Sequence, residues 1–114
     1  MQITTNTLNN ITYIQPIGNL LSETDLQEAT KVVSALVDEG HNLLVFDLSQ
    51  VDYFNSNGLN WLISSLTKSR RFDGDTALMN IPEQLEKLLI MTKLHHIFHT
   101  VENTHAAEQH FNKA

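Results

Sequence analysis

The sequence predicts an α/β fold: a single domain over residues 1–114, with a mostly parallel or mixed central sheet of about 4–5 strands flanked by about 4 helices. Three observations predict it. The unbroken apolar run Leu43-Leu44-Val45-Phe46, closed by Asp47, has the character of a strand covered on both faces. Stretches with apolar residues at helical spacing alternate with short strand-like runs, the order that builds parallel sheets. The length of 114 residues, with 41% hydrophobic and 18% charged residues, suits one core rather than two domains or a disordered chain.

Residues 2–18 alternate loosely, with Ile3, Thr5, Leu8, Ile11, Tyr13 and Ile17 among polar neighbours and Asn9-Asn10 between the halves. This predicts two short strands joined by a turn. Ser22 followed by Asp25, or Thr24 followed by Gln27, supplies an N-cap for a first helix. Its face is Leu26, Ala29, Val33, Leu36 and Val37, and Gly40 stops it. After the strand at 43–47 comes a polar turn, and from Ser56 the stripe Leu59, Leu62, Ile63 and Leu66 predicts a second helix. It fades through Lys68, Arg70 and Arg71, cations that suit a helix C-terminus, toward Asp73-Gly74. Thr76 to Asn80 reads as a strand, and Pro82 opens a third helix with Leu85, Leu88, Leu89 and Met91 on its buried face. Ile97 to Val101 reads as a last strand. Thr104 to Phe111 closes the chain as a short helix resting on Ala106, Ala107 and Phe111.

Charge and composition narrow the function. Thirteen acidic against seven basic residues give a net charge of −6, which repels a phosphate backbone and anionic lipid and argues against nucleic-acid binding. The absence of cysteine rules out disulfides and thiolate metal sites and fits the cytoplasm. The start MQITTNTLNN lacks the basic and apolar regions of a signal peptide, and no apolar stretch approaches the ~18 residues of a membrane span, so a soluble protein without membrane insertion is expected.

The most informative segment is Leu43 to Leu66, where the buried strand runs through a polar loop into a helix that opens on Asn55-Ser56-Asn57-Gly58. Strand C-termini and helix N-termini meet at this end of an α/β sheet, and free N–H groups there favour an anion. Taken alone, Ser56 or Asn55 could simply cap the helix.

This segment resembles the STAS family, the domain of bacterial anti-sigma-factor antagonists, stress-signalling scaffolds and the cytoplasmic tails of sulfate-type anion transporters. The family pattern is an apolar strand ending in Asp-Leu-Ser, a spacer, and Asp-Ser-Ser-Gly-Leu opening a helix. Here these are Asp47-Leu48-Ser49 and Asn55-Ser56-Asn57-Gly58-Leu59. Gly74 to Asn80, Ile81-Pro82 and Leu88 to Phe98 resemble the strand, helix start and leucine-rich helix that follow, so the likeness runs in outline over residues 8–111. In antagonists of this family, the first Ser of the motif is phosphorylated by a partner anti-sigma factor that is also a kinase. The resemblance implies that role for Ser56, and a partner-binding surface of Asn55, Ser56, Asn57, Gly58, Asn60 and Trp61. It also implies a regulator rather than an enzyme, without cofactor, whose partner is an anti-sigma factor or serine kinase-like protein. Asn55 and Asn57 depart from the family's Asp and second Ser; both still suit a helix start, and the first removes a negative neighbour from a phosphate. The rival implication is a constitutive structural subunit of a lipid-transport ABC complex or a signalling scaffold, with Ser56 an inert cap.

Other residues invite sharper readings. Trp61 lies about 200° around a helix from Leu59, which predicts an at least partly exposed side chain serving as a partner anchor, against the alternative that it folds onto a neighbouring loop. His95, His96 and His99 suggest a metal site only if helical; the stretch reads as a turn entering a strand, and solvated histidines are expected. Asp47 and Asp52 lack the nucleophile or metal that acid–base catalysis would need and read as turn caps, while Met79 and Met91 read as core filler.

Overall fold

A computed structural model describes residues 2–19, 23–53 and 55–112. In chain order these form β1 (Gln2–Leu8), β2 (Ile11–Asn19), α1 (Glu23–Asp38), β3 (Leu43–Asp47), β4 (Val51–Tyr53), α2 (Ser56–Arg71), β5 (Asp75–Met79), α3 (Glu83–Met91), β6 (His99–Val101) and α4 (Thr104–Phe111). The expected α/β architecture is present, with a mixed sheet in the order β1-β2-β3-β5-β6. β1 runs antiparallel to β2, and the other neighbours are parallel. The sheet has six strands rather than 4–5, because part of the polar turn after β3 pairs with β2 at Gly18 and Asn19 as β4.

The sequence sets the joints. Asn9 and Asn10, with φ of 53° and 68°, close the β1–β2 hairpin in the left-handed conformation that a tight two-residue turn requires. Gly40, at φ 98°, ends α1: its N–H donates to the Val37 carbonyl, and the His41 N–H donates to Leu36. Ser22, one of two expected caps for this helix, lies outside the described residues; Thr24, the other, is already inside α1. Gly74 ends α2 by donating to the Ser69 carbonyl at 2.7 Å, and a Cβ there would overlap the backbone carbonyl of Asn42.

The alternation of strand side chains divides the core in two. Ile14, Leu44, Phe46 and Leu78 face α1, α2 and α3, meeting Ala29, Val33, Leu62, Leu66, Leu85 and Leu89. Ile11, Tyr13, Val45, Ala77, Met79 and Val101 face the opposite way, where α4 covers them with Ala107 and, partly, Ala106 and Phe111.

Three expectations need correction. The last strand starts at His99 rather than Ile97, because the chain turns through residues 95–97 while Arg70 donates a hydrogen bond to the Ile97 carbonyl. Met91 is 79% exposed, since the short α3 turns only Leu85 and Leu89 fully inward. Ile63 is half-buried, at the margin of the face that α2 buries.

Candidate functional site

The end of the sheet where β3 stops is tied together by Asp47. Its Oδ1 accepts hydrogen bonds from the Asn80 side chain at 2.9 Å and the Ser49 N–H at 3.1 Å, and its Oδ2 accepts from Gln15 at 3.1 Å. Burial pushes this carboxyl up, but the bonds from Asn80, Ser49 and Gln15 outweigh burial and hold it below the ordinary Asp value. It thus fastens β2, β3 and the residue after β5 to one another. Asp52 is exposed on β4.

At the start of α2 the capping role falls to Asn55. Its backbone is extended, at φ −130° and ψ −173°, and its side-chain oxygen accepts from the Gly58 N–H at 3.1 Å. Ser56 is therefore the first helical residue, and it is exposed. No acidic residue occupies the first turn of α2, and Lys68, Arg70 and Arg71 occupy the last, so its N-terminus presents an uncompensated positive dipole end. Asn57 is half-buried, Gly58 buried and Asn60 exposed.

Beside Ser56 runs a groove of about 420 Å³ lined by Tyr53, Asn55, Gln84, Lys87, Leu88 and Met91. Tyr53 is 45% exposed, which together with Met91 gives this surface an apolar rim. Lys87 pairs with Glu83 one turn earlier at 3.2 Å. Sequence reasoning missed Tyr53, Lys87 and Met91; the one available signal was the position of Tyr53 between the strand and the helix start.

Trp61 does not belong to this surface. It is 1% exposed and packs edge-on against Phe46, with ring centroids 4.9 Å apart. The buried arc of α2 includes Gly58, Trp61, Leu62, Ser65, Leu66 and Ser69. Two serines on that arc disguised it, because each satisfies its hydroxyl on a carbonyl of its own helix: Ser65 on Trp61 at 2.8 Å and Ser69 on Leu66 at 3.0 Å. The partner-anchor expectation for Trp61 is overturned.

His95, His96 and His99 are all exposed, as expected, the first two in the turn after α3 and the third on β6, where it stacks on His110 of α4 at 3.7 Å. Among the described residues, no group of three or more His, Cys, Asp or Glu side chains is placed to hold a metal ion, and no helix is long and apolar enough to cross a membrane.

The STAS domain model matches residues 2–107. The chain belongs to the STAS domain family. Similar solved structures place the whole STAS fold on it. A putative anti-sigma factor antagonist from Thermotoga maritima superposes with a TM-score of 0.84 at 17% identity, over 97% of this chain and 95% of that one. The phosphorylated form of the Bacillus cell fate determinant SpoIIAA superposes with a TM-score of 0.74 at 13% identity, over 95% of this chain and 98% of that one. A chain of the Acinetobacter MlaFEDB complex matches less fully, with a TM-score of 0.66 at 20% identity, over 78% of this chain and 93% of that one. No curated protein sequence matches the chain significantly. STAS domains are regulatory and binding modules, which directs attention to surfaces rather than to catalytic groups.

Proposed function

We propose that this STAS domain, acting as one unit over residues 1–114 in the cytoplasm, is a phosphorylation-controlled regulator of the anti-sigma-factor-antagonist type. With Ser56 free, the surface formed by Asn55, Ser56, Asn57, Gly58 and Asn60 at the start of α2, with the Tyr53–Met91 groove beside it, binds an anti-sigma factor or serine kinase-like protein. Phosphate on Ser56 ends the binding. The observation that carries this reading is the division of labour at the helix start: Asn55 takes the cap and Ser56 stays exposed. A capping serine would need its hydroxyl for the fold; this one is available to a kinase.

The physics gives the switch its direction. A phosphoserine brings a charge of about −1.5 to −2 into a closing interface, where it must be desolvated against the partner. The same charge sits at the positive end of the α2 dipole, so the domain itself tolerates it. Asn55 in place of the family's Asp removes a like charge from beside the phosphate.

The rival reading, a constitutive subunit of a lipid-transport ABC complex, draws on the likeness to the Acinetobacter complex, which spans less of this chain. Incubation with ATP and a serine kinase-like regulator from the native cell separates the two. Mass spectrometry of peptides should place a phosphate on Ser56 and none on Ser56→Ala protein. A chain that remains unmodified and co-purifies with a transporter ATPase would establish the rival.

A further inference from the structure

Strand β1 is one outer edge of the sheet, and among the described residues no strand lies beyond it. The parity of the β1–β2 hairpin decides which of its backbone groups point outward. With Asn9 and Asn10 as the turn, Leu8 and Ile11 form the closing hydrogen-bonded pair, and bonded and non-bonded pairs alternate from there. Gln2, Thr4, Asn6 and Leu8 thus give their N–H and C=O groups to β2, while Ile3, Thr5 and Thr7 turn theirs outward. Two observations agree with this parity. The hydroxyls of Thr7 and Thr12 meet at 3.0 Å, as the closer side chains of a non-bonded pair allow. Pro16, which has no N–H, stands opposite Ile3 at another non-bonded pair, where β1 requires none. Natural edges are blunted by charge, proline, a bulge or shortness. β1 shows none of these: QITTNTL is uncharged and without proline, pairs with β2 residue for residue, and has 7 residues against 3 in the opposite edge strand β6.

We propose that β1 is a homodimerisation edge, on which β1 of a second copy adds antiparallel about a two-fold axis. The occupant follows from charge and register. The chain carries a net charge of −6, so two copies repel each other, and β1 brings no charge to their contact. Self-pairing centred on Thr5 sets Thr5 opposite Thr5 and Ile3 opposite Thr7, so each outward-pointing residue of one copy meets an outward-pointing residue of the other and exchanges both hydrogen bonds with it. The exposed Thr5 and Thr7 side chains leave room for this approach, while Ile3 keeps its contact with the core. Because the two β1 strands run in opposite directions, β3 of one copy runs against β3 of the other. The two Ser56 surfaces, which follow the ends of β3, then lie at opposite ends of the joint sheet and both stay open. The dimer therefore stands independently of the phosphorylation reading.

Sedimentation equilibrium of the full chain, from micromolar to millimolar concentration, tests the edge. The mass should rise from that of one chain to that of two. Thr5→Lys and Thr5→Asp each place like charges directly opposite one another at the two-fold, and each should raise the dimer Kd at least about 5-fold. An equimolar mixture of the two variants opposes Lys to Asp and should recover dimer, a result that only a register with residue 5 facing itself produces. Thr5→Pro removes an outward N–H and no bond to β2, so it should abolish the dimer while leaving the Tm within a few degrees of wild type. Should that variant fail to fold, the Lys and Asp pair decides. A wild-type chain that stays monomeric throughout, charge variants that dimerise like wild type, or a mixture that recovers nothing would each overturn the proposal.

Discussion

Helices α2 and α4 both follow a three-residue strand and both start on an asparagine cap followed by a hydroxyl residue. Asn55 accepts from the Gly58 N–H at 3.1 Å ahead of Ser56, and Asn103 accepts from the Ala106 N–H at 2.8 Å ahead of Thr104. Ser56 and Thr104 are both exposed. The surroundings differ. α2 has 16 residues, buries seven of them and borders a groove with the exposed apolar side chains of Tyr53 and Met91. α4 has 8 residues and buries Ala107. Cap chemistry therefore does not by itself set the proposed regulatory serine apart from Thr104. The distinction lies in a firmly anchored helix that can carry a new charge without unravelling, next to a surface that a partner can cover.

The largest test of that contrast is anchorage. Trp61→Ala should cost about 3–5 kcal/mol, read by chemical denaturation, since it empties a site packed on Phe46. Phe111→Ala on the half-buried end of α4 should cost only about 1 kcal/mol. Equal losses would erase the difference between the helices. Next come the caps. Asn55→Ala and Asn103→Ala should each weaken their helix by about 1 kcal/mol. Hydrogen exchange should show the first loss spread through the core under α2 and the second confined to α4.

The end of the sheet where β3 stops should respond to pH through Asp47. Its carboxyl is held below its ordinary value in the folded state, so its contribution is present above the unfolded value of about 3.9 and is lost as pH falls through the lower folded value. Asp47→Asn should therefore lower stability at pH 7 by about 1 kcal/mol, with the gap to wild type closing below about pH 4. A gap independent of pH would mean that the side chain acts through shape rather than charge.

Much of this was legible in the sequence, and the misses share a cause. The run Leu43 to Phe46 placed the central strand because a strand with neighbours on both edges and helices on both faces needs no polar side. Asn9-Asn10, Gly40 and Asp73-Gly74 marked real joints, since each supplies a backbone conformation or a close approach that few residues allow. Asn55 to Gly58 marked the helix start. Tertiary contacts decided what periodicity could not. Ser65 and Ser69 look like solvent-facing residues, yet they lie on the buried arc of α2, with Ser69 also sharing a hydrogen bond with the buried Thr76 at 2.8 Å. That rotated the apparent face of the helix and put Trp61 outside it. β4 escaped notice because its pairing partner, the end of β2, lies more than thirty residues away in sequence. The groove beside Ser56 is assembled from α3 as well as α2, and no local pattern links Met91 to Ser56.

The smallest expected change in stability accompanies the substitution on which the proposed function turns. Ser56→Asp should leave the Tm within a few degrees of wild type, as a shift under about 1 kcal/mol would in a domain of this size. Calorimetric titration of the native anti-sigma-type partner into wild type, Ser56→Ala, Ser56→Asp and Thr104→Asp then tests the central claim directly. A charge at Ser56 should weaken binding at least about 10-fold, or about 1.4 kcal/mol. Ser56→Ala and Thr104→Asp should bind like wild type. If Ser56→Asp binds as tightly as Ser56→Ala, or if Thr104→Asp weakens binding as much, the start of α2 is not the switch.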